Sequence, residues 1–247
     1  MSAAPRAIVV IPAFNEAATI RDVVSRTLAQ IPRVIVVDDG SSDGTAAALV
    51  GLPVTVSANP CNMGKGASLW HGMSLALAER PEVVITLDGD GQHAPECIPA
   101  LLGAWSAQRD KIVVGARLWD RDRFPPLRYF GNRFANFWIA WAAGYSISDS
   151  QSGYRLYPAD VLRRVRVAHD RSSGFTFESE FLIEAGRLGI RSVFVQVAAI
   201  YPRHARASHY RTARDTWRIV RMVAWRLISR GLYLPGLIES MRSTSRD

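Results

Sequence analysis

The sequence predicts an α/β domain built on a mostly parallel central sheet with helices on both faces. Throughout the first half, short apolar runs of strand length alternate with longer segments that have apolar residues at helical spacing. Hydrophobic residues make up 48% of the 247 residues and charged residues 21%, as in an ordinary globular protein. Right-handed strand–helix–strand units should bring the carboxyl ends of the strands to one edge of the sheet.

The elements of the first half follow one another closely. Each predicted strand is rich in Val and Ile, and Gly, Asp, Asn or Pro mark the turns between elements. We expect strands at Ala7–Ile11, Arg33–Val37, Val54–Ser57, Val83–Leu87 and Ile112–Gly115, and helices at Asn15–Gln30, Asp43–Val50, Gly66–Glu79 and Pro95–Ala107.

The second half has longer helices and more arginine. An aromatic stripe at helical spacing, typical of either a core or a membrane contact, comprises Phe134, Phe137, Trp138 and Trp141. No linker rich in Ser, Gly or Pro divides the chain, so we expect one domain over residues 1–210 and a basic amphipathic helix and tail over 211–247. The predicted elements are helices at Phe124–Ser146, Phe177–Leu188 and Arg211–Gly231, and a strand at Ser192–Ala198.

The chain is strongly basic, and most of its arginines follow residue 117. The net charge is +8 and the isoelectric point about 10.1, which implies an anionic partner such as nucleic acid, a lipid surface or a phosphorylated substrate. No apolar run reaches the ~20 residues of a membrane span. Met1–Arg6 is too short and too polar for a signal peptide, and the two cysteines lack metal-ligand spacing. We therefore expect a cytoplasmic protein.

An acidic pair follows the fourth predicted strand. Asp88 and Asp90 come directly after the apolar run, with Gly89 between them and Gln92 two residues further on. Carboxylates at the carboxyl end of a strand, beside glycines that let a backbone approach closely, suit a hard divalent cation such as Mg²⁺ or Mn²⁺. Such a cation would in turn hold a diphosphate, so this pair is a candidate metal site.

Other strand ends carry residues expected at the same edge. Phe14, after the first strand, suits contact with a base, and Asp38 or Asp39, after the second, suits hydrogen bonds to a base or ribose. Arg117, after the fifth, suits a phosphate. The segment Asp38–Thr45 equally fits a turn that caps the next helix.

A glycine turn precedes the third predicted helix. The segment Asn62–Gly66 contains Lys65 and fits either a phosphate-binding loop or, because the full P-loop pattern is absent, a simple turn before a helix.

Together these motifs resemble the family 2 glycosyltransferases, which have the GT-A type nucleotide-sugar-binding fold. Within that family the chain is similar to the dolichyl- and polyprenyl-phosphate sugar transferases, from about Ala7 to about Arg211. The resemblance implies a Rossmann-like sandwich around the predicted sheet. It rests on IPAFNE (11–16), VDDGSSDGT (37–45), NMGKG (62–66), LDGDGQH (87–93), GAR (115–117), DSQSGYR (149–155) and FTFESEF (175–181).

The resemblance implies a donor site that binds a nucleotide-diphosphate sugar of the UDP-glucose or GDP-mannose type. Mg²⁺ or Mn²⁺ is the implied cofactor, held by Asp88, Asp90 and Gln92. A loop that closes over the diphosphate is implied at Arg203 and Ser208, where His209 replaces the usual lysine. The implied nucleoside contacts are Pro12, Phe14, Glu16, Asp38 and Asp39, and Lys65 and Gly89 are further candidate donor contacts.

The resemblance also implies that a polyprenyl phosphate accepts the sugar, with inversion at the anomeric carbon. Arg117, Arg128 and Arg133 are the implied phosphate contacts, with Asp90 and Arg117 taking part in catalysis. The basic C-terminal helix then suits peripheral binding at the cytoplasmic face of the membrane.

Three alternatives remain open at this stage. A hydroxyl acceptor would need a carboxylate base, for which Glu180 is the first choice, beside Glu178 and Asp149. The other interpretation is a charge on a helix surface for Glu178 and Glu180, and a loop cap for Asp149. A nucleic-acid-binding module is suggested by charge alone, but no nucleic-acid motif is present and acidic strand ends would repel a phosphate backbone, so we expect no nucleic-acid partner. A nucleotidyltransferase should carry a glycine- and basic-rich signature after the first strand, which is absent.

Overall fold

The apolar runs of the first half form the central sheet. The structure, a computed structural model, describes residues 5–117, 126–167, 176–198, 200 and 212–244. The strands of this part are β1 (Ala7–Ala13), β2 (Val34–Asp38), β3 (Thr55–Ala58), β4 (Val83–Thr86), β5 (Ile112–Ala116), β6 (Arg155–Pro158) and β7 (Ser192–Gln196).

Helices cover both faces of this sheet. They are α1 (Ile20–Leu28), α2 (Lys65–Ala78), α3 (Ile98–Ala107), α4 (Pro126–Ala143), α5 (Ala159–Arg164), α6 (Phe177–Arg187), α7 (Thr212–Ile228) and α8 (Leu234–Thr244), with short 3₁₀ helices at Ala47–Leu49, Pro95–Cys97 and Gly231–Tyr233.

The sheet has the order β3-β2-β1-β4-β6-β5-β7. The pairings β1–β2, β1–β4, β2–β3 and β5–β7 are parallel, whereas β6 is antiparallel to both of its neighbours. The prediction of a mostly parallel sheet is therefore confirmed. Because β6 lies between β4 and β5 in opposite direction, β4 and β5 still run the same way, and their carboxyl ends meet at one edge.

Alternation along the strands divides the core into two layers. Ile8 and Val10 of β1 belong to an apolar layer that also contains residues of α2, α4, α6 and α7, while Val9 and Ile11 belong to a layer that contains residues of α1 and α3. Strands buried on both faces explain why the sequence shows continuous apolar runs rather than alternation.

Two predicted helices are wrong in extent. The helix expected at Asp43–Val50 is only a 3₁₀ turn, because the apolar run is too short to repay helix nucleation before Gly51 turns the chain with φ of +85°. The helix expected from Asn15 begins at Ile20, since Asn15 has a φ of +56° that no α-helix accommodates.

The C-terminal helices pack onto the rest of the protein. Ile219, Val223 and Leu227 form the buried face of α7, and α8 packs along α4. No helix in the described ranges is long and apolar enough to cross a membrane. The sequence prediction extended the α7 helix to Gly231 and did not anticipate α8, β6 or α5.

Candidate active site

The turns after β1 and β2 are joined by hydrogen bonds. The Asn15 amide donates to Ser41 Oγ at 2.8 Å, and the Ser42 amide donates to Asn15 Oδ1 at 2.9 Å. The Glu16 amide donates to Thr45 Oγ1 at 2.8 Å. Asn15 has a left-handed backbone conformation, which places the half-buried Phe14 and Glu16 beside the acidic turn after β2, Asp38–Thr45.

Asp39 organises the loop that leads into α2. Its buried carboxylate accepts hydrogen bonds from the amides of Met63 and Gly64 at 2.9 Å and from Asn59 Nδ2 at 2.8 Å. Asp38, also buried, accepts from the Ser41 amide at 3.0 Å. Asp39 thus fixes the start of α2, where Lys65 lies. The interpretation of Asp38–Thr45 as a turn that caps the next helix is wrong, because only a 3₁₀ turn without a side-chain cap follows it.

Lys65 lies between two carboxylates. Its Nζ is 2.7 Å from Asp88 Oδ1 and 2.9 Å from Glu178 Oε1. Gly153 leaves the room for this cluster, since a Cβ there would come within 2.8 Å of the Lys65 ammonium and 3.0 Å of Asp88 Oδ2. Burial opposes the charge on Asp88, but Lys65, His93 and Arg117 outweigh it and lower the Asp88 pKa to about 2. Asp88 is thus ionised at neutral pH.

Asp90 lies beside this charge with fewer cationic neighbours. Its Oδ1 accepts a hydrogen bond from the Gln92 amide at 3.0 Å. Burial, and then the negative charge of Asp88, raise the pKa of Asp90. The turn is anchored by Thr19, whose hydroxyl donates to the Gly89 carbonyl at 2.7 Å.

The electrostatics of the acidic pair fit a divalent cation. Asp88 and Asp90 repel one another, a positive ion between them would relieve that repulsion, and oxygen donors select a hard ion such as Mg²⁺ or Mn²⁺. Among the residues that the structure describes, no group of three acidic, histidine or cysteine side chains forms a ready-made metal cage. The site therefore suits an ion that would be coordinated partly by the acidic pair and partly by a bound ligand.

His93 contacts the backbone of the turn at Asp88–Asp90. Its Nδ1 accepts a hydrogen bond from the Asp88 amide at 3.2 Å, and its ring packs on Tyr154 with centroids 5.2 Å apart. Burial lowers the His93 pKa to about 4, so the ring is neutral near pH 7 and carries its proton on Nε2. Within the described residues Nε2 has no hydrogen-bond partner.

Arg117 follows β5 at the same edge. Its Nε lies 3.5 Å from Asp149 Oδ2 and makes no hydrogen bond within the described part of the chain. Asp149 is fully buried and accepts from the amides of Arg117, Gln151 and Ser152, each at 3.1 Å. Asp149 is thus a loop cap, one of its two readings from sequence, and it aligns Arg117.

Sequence reasoning missed the part played by Arg155. This fully buried side chain donates to the carbonyls of Ser150, Ser152 and Glu178 at 2.6–2.8 Å. It thereby joins the loop at Gly153 to the start of α6 and holds Glu178 against Lys65. The sequence signal was the motif DSQSGYR (149–155), which ends in this arginine but does not indicate that its side chain is buried.

Glu178 and Glu180 are both buried, so the alternative that they are charges on a helix surface is wrong. Glu178 contacts Lys65, whereas Glu180 Oε1 accepts from Arg226 of α7 at 2.7 Å. Arg226 also contacts Glu184 Oε1 at 2.7 Å. The structure thus places the predicted base Glu180 at the junction of α6 and α7 and brings Glu178 to Asp88.

The other predicted residues fall in three groups. Pro12 is buried in β1, and Arg133 is exposed on α4. Arg128 belongs to α4, but the position of its side chain is not among those described. Arg203, Ser208 and His209 lie outside the described residues.

Comparison with known proteins places this site in a family context. The sequence model for glycosyl transferase family 2 matches residues 8–166. The polyprenol monophosphomannose synthase of Mycolicibacterium smegmatis is 31% identical over 203 residues, which cover 78% of this chain and 76% of that protein. The undecaprenyl-phosphate mannosyltransferase of Micrococcus luteus is 29% identical over 210 residues, which cover 79% and 84% of the respective chains.

Solved structures show the same fold. Glucosyl-3-phosphoglycerate synthase from Mycobacterium tuberculosis, in complex with Mn²⁺, UDP-glucose and phosphoglyceric acid, superposes with a TM-score of 0.65 at 22% identity. The match covers 92% of this chain and 79% of that one. The predicted GT-A architecture is confirmed by this likeness.

Proposed function

Because the chain belongs to glycosyl transferase family 2, and is a glycosyltransferase, we propose that it transfers a sugar from a nucleotide-diphosphate sugar to a polyprenyl phosphate. The observation that carries this proposal is the Asp88–Asp90 pair at the sheet edge, flanked by Lys65 and Arg117. The relatives that act on polyprenol and undecaprenyl phosphate support the choice of acceptor.

The acidic pair is the proposed site of the cofactor. Asp88 and Asp90, with Gln92, would hold Mg²⁺ or Mn²⁺. When bound, such an ion supplies Lewis-acid stabilisation of the leaving nucleoside diphosphate. Solved structures of glucosyl-3-phosphoglycerate synthase, which has the same fold, contain Mn²⁺ or Mg²⁺ with UDP, which agrees with this assignment.

The donor residues have separate tasks in this proposal. The nucleoside would lie along the turns after β1 and β2, against Pro12, Phe14, Glu16 and Asp38, while the Asp39 hydrogen bonds keep the start of α2 in place. Lys65 neutralises Asp88 and Glu178 before the donor arrives and holds both carboxylates in fixed positions. Gly89, where a Cβ would come within 3.0 Å of Ile20 Cδ1, lets the turn at Asp88–Asp90 lie close against β1 and α1. Arg203, Ser208 and His209 are proposed to approach the diphosphate.

The acceptor phosphate needs positioning rather than a strong base. A phosphate monoester is already anionic near pH 7, since its second pKa is about 6. Arg117, aligned by Asp149 at the edge that holds Asp88, is the proposed phosphate contact. Arg128 and Arg133 of α4 are proposed to extend this cationic path toward the lipid. Inversion at the anomeric carbon follows if the phosphate attacks opposite to the leaving diphosphate.

A hydroxyl acceptor is less well supported by the arrangement of the acidic residues. That reaction needs a carboxylate able to take a proton. Glu178 contacts the Lys65 ammonium, Glu180 contacts Arg226, and Asp149 accepts three backbone amides. The carboxylate oxygens of these three residues are thus engaged by groups of the protein itself.

The phosphorylated lipid and the positive charge also support a place for the enzyme on the cytoplasmic face of a membrane, bound peripherally. The experiment that tests the function follows radiolabel from UDP-glucose, UDP-N-acetylglucosamine or GDP-mannose into an organic phase. The purified protein is supplied with Mg²⁺ or Mn²⁺ and with either polyprenyl phosphate or the matched polyprenol.

We expect label to enter the organic phase with one donor and only with the phosphorylated lipid. Label that stays in the aqueous phase for every donor would contradict the proposal, as would equal transfer to the unphosphorylated alcohol. The variants Glu178→Gln and Glu180→Gln separate the two acceptor chemistries. Glu180→Gln should keep a near-normal rate with a phosphate acceptor, whereas a base role would make that rate collapse.

A further inference from the structure

The turn between α7 and α8 has an unusual backbone. Gly231, Leu232 and Tyr233 have φ of 60°, 62° and 40°, in the left-handed region that costs an L-residue about 1 kcal/mol or more. Trp141 of α4 holds this turn, since its Nε1 donates to the Leu232 carbonyl at 2.9 Å and lies 3.2 Å from the Tyr233 carbonyl.

Further contacts fix the turn to the end of α4. The Arg230 guanidinium donates to the Ala142 carbonyl at 3.0 Å and lies 3.8 Å from the centroid of the Tyr233 ring. That ring packs against Gly144 and Gly236, where a Cβ would come within 2.7 Å and 2.3 Å of it. The surroundings thus maintain a strained conformation, and Tyr233 packs inward while Leu232 is exposed.

The turn begins an apolar surface. Leu232 and three residues of α8, namely Leu234, Ile238 and Met241, are each 52–60% exposed. We call these four residues the C-terminal apolar surface. Those of α8 have the spacing i, i+4, i+7 and therefore share one face of the helix. Backbone strain that is maintained while leucine stays in water indicates a function for the exposed side chains.

The charge around this surface identifies its partner. Residues 212–244 contain six arginines and two acidic residues, a net charge of +4, which the two glutamates paired with Arg226, Glu180 and Glu184, reduce to +2. Glu239, the acidic residue of α8, lies 3.6 Å from Arg191. Exposed Arg221, Trp225 and Ile228 share a face of α7. A partner that is apolar inside and anionic outside matches this combination, which describes a bilayer with anionic headgroups.

We infer that the C-terminal apolar surface inserts into the headgroup boundary of an anionic bilayer, with Leu232 leading from the strained turn. At 11 residues α8 is too short to span a bilayer and suits a helix that lies in the interface. The inference rests on the proposed function only in that a lipid acceptor gives the docking its purpose. Vesicle binding without donor or acceptor tests it separately.

The experiment is flotation of the purified full chain with phosphatidylcholine vesicles that contain or lack phosphatidylglycerol. We expect binding to the anionic vesicles and far weaker binding to the neutral ones. Leu232→Gly removes the side chain and relieves the left-handed strain, so it should leave the melting temperature equal or higher. It should also lower the partition coefficient roughly threefold, and Leu232→Gly with serine at the other three positions should lower it roughly 30-fold.

The control variant exchanges exposed apolar residues elsewhere. Val50→Ser with Val56→Ser changes residues that are 75% and 40% exposed, next to and within the edge strand β3, and should bind as the wild type does. The inference is overturned if the wild type does not bind anionic vesicles, if it binds neutral vesicles equally, or if the Leu232→Gly and fourfold variants bind like the control. A dimer that becomes monomeric in the fourfold variant, with vesicle binding unchanged, would instead assign the surface to a second copy.

Discussion

At the scale of single residues, the candidate site depends on one ammonium group that forms ion pairs with two carboxylates. Lys65 neutralises Asp88 and Glu178, while Asp90 keeps a raised pKa because burial and the charge of Asp88 disfavour its ionised form. The sequence predicted Lys65 as a donor contact, but the structure assigns it first to the acidic cluster. Excess negative charge at Asp90 is the electrostatic reason to expect a cation there.

His93 gives the site a pH dependence that stability measurements can detect. In the unfolded chain the pKa of His93 is near 6.5, whereas burial lowers it to about 4 in the folded protein. As pH falls below 6.5, His93 therefore binds a proton in the unfolded state but not in the native state. The free energy of unfolding declines until about pH 4, where the native state also binds the proton. From this shift we expect His93 to lower the free energy of unfolding by about 3 kcal/mol across that range.

The measurement is denaturant unfolding between pH 4 and 7 in the presence of EDTA, so that no metal affects the titration. His93→Asn is the control, since its amide oxygen can still accept the Asp88 amide hydrogen but does not titrate. The difference in stability between wild type and variant should shrink or reverse toward low pH. Parallel curves for the two proteins would refute the role assigned to His93.

At the scale of elements, an ion-pair cluster holds α7 against α6. Arg226 contacts Glu180 and Glu184, both poorly exposed, with distances of 2.7 Å. Arg226→Met would leave two like charges one helical turn apart and partly buried, so we expect a loss of about 3 kcal/mol in the free energy of unfolding. Arg221→Met, at an exposed position of the same helix, should change it by less than about 0.5 kcal/mol. Equal effects in chemical denaturation would show that the cluster does not dock α7.

Two helical glycines make a second matched pair. A Cβ at Gly186 of α6 would lie 2.3 Å from the Ala143 carbonyl of α4, whereas a Cβ at Gly103 of α3 would meet nothing within 4 Å. Gly186→Ala should therefore destabilise the protein by roughly 2–3 kcal/mol through overpacking. Gly103→Ala should stabilise it by about 0.5–1 kcal/mol through helix propensity. Thermal or denaturant unfolding decides, and similar shifts in both variants would refute close α4–α6 packing.

At the scale of the whole molecule, the parallel part of the sheet was predictable and its interruption was not. Continuous apolar runs such as Val83–Thr86 indicate buried strands, and parallel strands bring their ends together by geometry alone. The four residues Arg155–Pro158 are too few for a reliable periodicity, begin with a charge and end with proline, so β6 gave no strand signal.

The site was predictable to the extent that it depends on strand ends. Asp88, Asp90 and Arg117 lie at the edge where the sequence placed them. The roles of Glu178 and Glu180 were not predictable, because neighbouring positions of one helix point to different partners, and those partners belong to distant segments. The burial of Arg155 was likewise invisible, since backbone carbonyls that satisfy a guanidinium leave no sequence pattern.

The central claim is that the acidic pair holds a divalent cation that in turn binds the diphosphate of the donor. Asp90→Asn tests it most cleanly, because Asp88→Asn would also break the Lys65 ion pair. The measurement is calorimetric binding of UDP and of GDP to the wild type, to Asp90→Asn and to the exposed control Asp110→Asn, with Mn²⁺ or with EDTA.

We predict that one of the two nucleotides binds the wild type and Asp110→Asn with Mn²⁺. Either EDTA or Asp90→Asn should weaken that binding by at least about 30-fold. Nucleotide affinity that is the same with Mn²⁺ and with EDTA, or that survives intact in Asp90→Asn, would contradict the claim.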